Sequence, residues 1–314
     1  PDSQRYLLVP EGQPVPQGLD EDVSILQEPL QNIYLVASGV MDMFASLDAV
    51  GQIRFSGQKQ ENWYIQTAKD AMAAGDMIYA GKYSKPDYEL LVSEGCDLAI
   101  ENRMITHSPE VVEMLQSFDI PVMIEYSSYE QHPLGKVEWV KFFGALTGKE
   151  AEAEEAFAEQ TEILEEVESG EKTGKTIAFF YVTSNGLIQV RQSTDYIPKL
   201  IELAGGRYIF EDLEDSGSGR STLNMQVEDF YAGAKDADIL IYNSSIDGGV
   251  TTLDELIGKC NILKDFKALQ EGQVYCTTND MYQQSMAIGY LLQDMHTVLT
   301  DDDTAKLRYL FLLQ

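Results

Sequence analysis

The sequence predicts an α/β protein of two lobes, each a mostly parallel sheet flanked by helices, joined by one long connecting helix. Three observations carry that reading. Short apolar runs alternate with amphipathic stretches over residues 33–128, the alternation stops at a segment rich in Ala, Glu and Leu over residues 134–168, and it resumes at residue 176. Strands alternating with helices imply parallel pairing with helices on both faces. The expected divisions are residues 1–133, a connecting helix at 134–168, and residues 169–314.

Taken in order, an extended lead containing prolines runs through Glu28 and Pro29, residues 33–37 read as a strand, Ser38-Gly39 as a loop, and residues 40–47 as a helix. Residues 52–55 give a second strand and 63–72 an amphipathic helix. In SKPDYELLVSEGCDLAIE, Pro86 suits the first turn of a helix, where its missing N–H is no loss, and Ser84 or Asp87 is placed to cap it. The run Leu98-Ala99-Ile100 is then an interior strand, and residues 120–128 give another strand with a polar loop.

Within residues 134–168, Ala153, Ala156, Phe157, Ile163, Leu164 and Val167 form a narrow apolar stripe, and Gly148 is the point where a kink or division is expected. The 20 positions from 149 to 168 would span roughly 30 Å as a helix, enough to join two lobes. Beyond it, residues 176–182 read as a strand, 196–204 as a helix stopped by Gly205-Gly206, and 273–276 as a strand. Two terminal helices are expected at 285–299 and 304–313.

The second half repeats a pattern of the first. Glu89 stands in a helix entry eight positions before Asp97, which opens a buried strand. Glu228 stands likewise ten positions before Asp238 and the run Ile239-Leu240-Ile241. A first-turn glutamate is favoured by the helix dipole whatever the protein does, so it is the pairing that matters.

Charge narrows the partners. With 52 acidic against 22 basic side chains the net charge is −30, which repels nucleic acid phosphates and anionic lipid and attracts basic protein surfaces. No run approaches the roughly 18 apolar residues that cross a bilayer. The chain opens at Pro1, so an upstream initiator segment is expected to have been removed. Cys96, Cys260 and Cys276 lack CxxC spacing and lie among apolar residues, as buried thiols do; a Cys260 to Cys276 disulfide stays open. No GxGxxG follows a strand, and Walker, GxSxG and HExxH signatures are missing. GSGR at 217–220 lacks the P-loop lysine and spacing.

GKYSKPDYELL before DLAIE, HPLGKVEWVKFFGAL leading into the connecting segment, ELAGGRYIF, and MQVEDFYAGAKDADILIYNS occur in an order that resembles the class III substrate-binding proteins of ABC importers. The likeness covers nearly the whole chain. It implies an extracytoplasmic binding module, not an enzyme, that captures a ferric siderophore, haem or corrinoid between its lobes and delivers it to an ABC permease with its ATPase. It implies no cofactor beyond iron or cobalt within the ligand, a monomer, and an N-terminal lipid anchor on a cell-surface or periplasmic protein. A bilobal enzyme and a sensor ectodomain are the alternatives. In the family one glutamate on each lobe docks to permease arginines, and Glu89 and Glu228 match those positions; a carboxylate at a helix start registers well with a guanidinium fork.

Ligands of open α/β sheets sit beyond the carboxyl ends of strands. That rule selects Ser38, Met41, Gly57, Asn102, Arg103, Met104, His107, Tyr126 and Tyr129 in the first half, and Tyr181, Asn185, Arg191, Tyr242, Asn243, Asp280 and Tyr282 in the second. The tyrosines offer flat faces with hydroxyls for a macrocycle or aryl chelate, and the arginines suit carboxylates. His107 is the one candidate axial ligand, set against a capping or surface role, while His132 and His296 read as structural. Three scattered histidines make no cage for a bare ion.

Overall fold

The structure, a computed structural model, describes residues 4–213, 221–246, 249–300 and 304–314. It divides into two compact units. Unit 1 comprises Pro1–Ser128, Glu138–Phe157 and Gln283–Ser285, and unit 2 comprises Tyr129–Val137, Ala158–Tyr282 and Met286–Gln314. The division thus cuts through the helical segment instead of setting it apart.

Unit 1 opens with a parallel pair, β1 (Arg5–Val9) and β2 (Val23–Gln27), where an extended lead was expected without assigned strands. Its main sheet holds β3 (Ile33–Leu35), β4 (Ile53–Ser56), β5 (Ile78–Tyr79), β8 (Leu98–Asn102) and β9 (Val122–Glu125), all parallel, in the order β5-β4-β3-β8-β9. The short hairpin β6 (Gly81–Lys82) and β7 (Lys85–Pro86) lies between β5 and the next helix. Strand β3 is buried at every position, as a parallel strand covered on both faces must be. Helices α1 (Val40–Ser46), α2 (Gln66–Ala74), α3 (Tyr88–Ser93) and α4 (Pro109–Ser117) make the crossovers. The chain winds from β3 outward to β5 and returns to β8 on the other side of β3. The carboxyl ends of β3 and β8 are therefore the topological switch point of this sheet.

The entry to α3 departs from expectation at Pro86, while Asp87, one of the two expected candidates, does cap the helix. Pro86 ends β7, and the Asp87 Oδ1 accepts from Leu90 N at 3.1 Å. Gly81 makes the hairpin fit: its φ is +92°, and a Cβ there would lie 2.3 Å from the Lys85 carbonyl oxygen. Gly81→Ala should lower the stability of this unit by about 1–3 kcal/mol in a denaturant titration, because both the backbone conformation and the contact are forbidden to alanine.

The connecting segment, expected as one helix with a kink or division at Gly148, is two helices, α5 (Pro133–Thr147) and α6 (Glu150–Glu168), separated at Gly148, whose φ is +67°. Gly144 lies so close to Ala153 that an added Cβ would stand 2.5 Å from the Ala153 Cβ. Left-handed backbone at Gly148 breaks the hydrogen-bond ladder, and the small Gly144 lets the next helix approach. In unit 1 the ring of Phe143 packs 5.5 Å from Phe44.

Unit 2 is built on β10 (Thr176–Val182), with β14 (Ile239–Tyr242) and then β15 (Val274–Thr277) parallel to it on one side. On its other side β10 pairs with β11 (Ile188–Arg191), antiparallel, and with β12 (Arg207–Tyr208), parallel, while β13 (Thr222–Met225) adds to β11. The expected last helix is instead a 3₁₀ turn at Thr304–Lys306 followed by β16 (Leu310–Leu312), antiparallel to β15. Leu-Phe-Leu with one polar neighbour reads equally as strand or helix, and pairing on the open edge of β15 decides it. Helices α7 (Tyr196–Leu203), α8 (Val227–Ala234), α9 (Leu253–Lys259), α10 (Lys267–Gln270) and α11 (Ile288–Thr300) complete the unit. Residues 217–220, the GSGR tetrapeptide, lie outside the described residues. Cys96, Cys260 and Cys276 are all free thiols, which answers the question of a disulfide.

Candidate functional site

In unit 1 Val36, just after β3, and Ile105, in the turn after β8, belong to one apolar cluster at the switch point. Val36 N donates to the Ile100 carbonyl at 2.9 Å, and Gly57 N, after β4, donates to the Leu35 carbonyl at 2.8 Å. Asn102 ends β8 and caps the 3₁₀ turn Arg103–His107, its Oδ1 accepting from Met104 N at 2.8 Å. Ser38 and Arg103 are half-buried there, and Met104 and His107 are exposed, Met104 to 47%. Met41 is fully buried on the inner face of α1, so it serves the core and is withdrawn as a contact residue. Tyr126 follows β9 and is 36% exposed. Beside it Glu125 is buried and clasps Ser127, accepting from its N at 2.8 Å and from its Oγ at 2.6 Å. His107 stands directly before Ser108 and the Pro109 that starts α4, a surface position next to a helix entry.

In unit 2 the structure brings three expected residues together. The Asn243 Nδ2 donates to the Tyr282 hydroxyl at 2.6 Å, and the Arg191 guanidinium hydrogen-bonds the same hydroxyl. Arg191 also pairs with Asp195 at 3.2 Å, with side chains 9% and 2% exposed, and its backbone is held by the Tyr208 hydroxyl. Burial alone would disfavour the Arg191 charge, but Asp195 and the phenol of Tyr282 outweigh it, and the guanidinium pKa is raised. Burial raises the Tyr282 pKa, against the opposing pull of Arg191.

The other expected residues of this half scatter. Tyr242 is fully buried with its ring 5.6 Å from Phe180 in the core, because an inward position on β14 leaves no route to a loop; it is withdrawn as a lining residue. Asn185 is exposed in the β10 to β11 hairpin, where its Oδ1 accepts from the Thr183 hydroxyl at 2.6 Å. Tyr181 and Asp280 are half-buried, and Tyr129 is 42% exposed. Sequence reasoning missed Asp195, which both neutralises Arg191 and caps α7 through Ile197 N at 3.0 Å. Its position four residues after Arg191 was the available signal. Among the described residues no group of three or more His, Cys, Asp and Glu side chains could hold a metal ion.

Both helix-start glutamates are exposed. Glu89 lies in the first turn of α3 and Glu228 in the first turn of α8, and neither side chain engages a partner among the described residues.

Two parallel-centred sheets flanked by helices, one in each unit, match known architectures. The haem-binding periplasmic protein HutB of Vibrio cholerae superposes with a TM-score of 0.66 at 15% identity, covering 85% of this chain and 98% of that one. This chain has the class III periplasmic-binding-protein fold. The same fold matches the catecholate-siderophore binding protein VctP of V. cholerae (TM-score 0.64, 12% identity, covering 88% of this chain and 95% of that one). It also matches the vitamin B12 binding protein BtuF of that organism (0.59, 13%, covering 88% and 99%). In sequence the chain is 26% identical over 314 residues to an uncharacterised lipoprotein of Methanocaldococcus jannaschii, covering 94% of this chain and 72% of the relative. No protein-family model matches it.

Proposed function

We propose that the chain is an extracytoplasmic solute-binding protein that captures a metal chelate, a ferric siderophore, haem or corrinoid, and delivers it to an ABC permease. The observation that carries this reading is the pair of exposed, unpartnered glutamates, Glu89 and Glu228, each in the first turn of a helix of its own unit. A carboxylate held at a helix start costs little entropy when it meets an arginine fork, so such a pair gives registration as well as attraction. The net charge of −30 adds long-range steering toward a basic face. The named ligands of the fold relatives, haem, catecholate siderophore and vitamin B12, support the choice of chelate class. The relative named as a lipoprotein supports an anchored, extracytoplasmic position.

On this reading no covalent step occurs and the chain acts as a monomer. Ligand contacts come from the carboxyl-end loops: Ser38, Asn102, Arg103, Met104, His107 and Tyr126 in unit 1, and Tyr129, Tyr181, Asn185, Asn243, Asp280 and Tyr282 in unit 2, with Arg191 behind Tyr282. Exposed Met104 and Tyr126 suit a flat, polarisable ligand. The double variant Glu89→Ala, Glu228→Ala should cut permease-dependent uptake in reconstituted vesicles by tenfold or more while leaving chelate affinity within about twofold. Uptake unchanged by the double variant, or a loss of affinity in its place, contradicts docking through these acids.

A further inference from the structure

Glu101 is the most unusual ionisable group of unit 1. It sits on β8 with no exposure at all, and neither of its carboxyl oxygens has a hydrogen-bond partner. Strand alternation puts it on the same face as Ala99, which packs in an apolar cluster with Tyr34, Leu91 of α3, Ile105 of the 3₁₀ turn, and Val111 and Leu115 of α4. A charged carboxylate has nothing to repay its lost hydration in such a place, so the group is held as the neutral acid, its pKa raised by burial to about 8.

The groups that face it offer no counter-charge. Tyr34 on β3 and Tyr88 at the start of α3 both feel its charge, and Tyr34 already donates its hydroxyl proton to the Gly81 carbonyl at 2.9 Å. Tyr79 and Cys96 couple to Tyr34, and Glu110 of α4 couples to Tyr88. The Cys96 thiol is itself pushed up to about 12, chiefly by burial. All of these are neutral or acidic, so none supplies a counter-charge for an anion at Glu101.

We propose that Glu101 is a proton switch: the neutral acid seats α3 and the Arg103–His107 turn on the sheet, and loss of its proton to solvent drives the carboxylate toward water and loosens both. The turn begins at the very next residue, where Asn102 caps it, and it carries Arg103, Met104 and His107. Helix α3 carries Glu89. Protonation at one buried point thus governs the mobility of two surfaces of this unit, whatever ligand the chain takes.

The sign follows from linkage. A raised carboxyl pKa means that the folded state binds the extra proton, so stability is fully present below the ordinary glutamate range and is lost as pH rises toward and through about 8. Glu101→Gln keeps the shape and removes the ionisation. Between pH 5 and pH 9 the unfolding equilibrium constant of the wild type should rise by about 10²- to 10³-fold relative to Glu101→Gln. In the wild type, hydrogen exchange of amides in residues 88–107, corrected for intrinsic rate, should accelerate over the same range while strands β3 and β4 change little. A stability gap that does not vary with pH, or exchange that accelerates uniformly across the unit, overturns the switch. Should the variant fail to fold, the wild-type exchange pattern and the pH at which the infrared band of its buried protonated carboxyl disappears decide the matter: a band absent at pH 6 overturns it.

Discussion

Asp294→Ala should destabilise unit 2 by about 3–5 kcal/mol, read as a lower denaturation midpoint. Asp294 lies on α11 with 3% exposure, and its carboxylate gathers three consecutive backbone N–H groups: Arg308 and Leu310 at 2.9 Å and Tyr309 at 2.6 Å. These are the amides that lead the chain out of its 3₁₀ turn and into β16, so one side chain substitutes for a missing partner strand along that stretch. Alanine removes the acceptor and leaves the donors unpaired, and the one on Leu310 is in a buried residue. Asp294→Asn, which keeps one acceptor oxygen, should cost clearly less. Edge pairing of β16 on β15 would be the first thing lost, visible as rapid exchange of the amides of residues 310–312.

Arg191→Ala should cost a comparable amount, about 3–5 kcal/mol, but for the opposite reason: it strands a buried anion. Asp195 is 2% exposed in its side chain, and without the guanidinium its charge is balanced only by the amide of Ile197 at the start of α7. The Tyr282 hydroxyl would keep only Asn243. The informative comparison is Arg191→Met combined with Asp195→Asn, where the asparagine still caps α7 and no charge is buried. That double variant should recover half or more of the loss, since a well-packed neutral replacement of a buried pair is often nearly neutral. Equal costs for the single and double variants would mean that packing against Phe179, whose ring lies 5.8 Å from the guanidinium, carries the effect in place of charge.

Much of the fold could be read from periodicity. The interior parallel strands β3, β8, β10, β14 and β15 announce themselves as short apolar runs because both faces are covered, and the helices between them carry their own amphipathic pattern. What escaped was edge structure. β13 is a half-exposed edge strand, β1 and β2 pair with each other, and β16 is three residues long, so each owes its strand character to a neighbour and not to its own sequence. Gly148 was visible as a weak point, but the close approach of Gly144 and Ala153, which decides that the chain breaks into two helices there, is a tertiary fact. At the site, the rule of carboxyl-end loops selects turns and cannot tell which side chains point outward. Met41 lies between buried Val40 and half-buried Asp42, and Tyr242 between buried Ile241 and Asn243, and both are consumed by the core. Nothing in the sequence sets Glu101 apart; only its burial without a partner distinguishes it.

On the proposed function the chain binds a metal chelate without transforming it. Titrating the purified protein with haem, cobalamin, cobinamide and a panel of ferric siderophores, followed by tryptophan fluorescence and by the visible spectra of the coloured ligands, tests it most directly. Saturable binding of at least one of them is expected at one equivalent per chain with a Kd below about 1 µM, with recovery of the ligand unchanged on denaturation. Absence of saturable binding across the whole panel, or release of a chemically altered ligand, would contradict it.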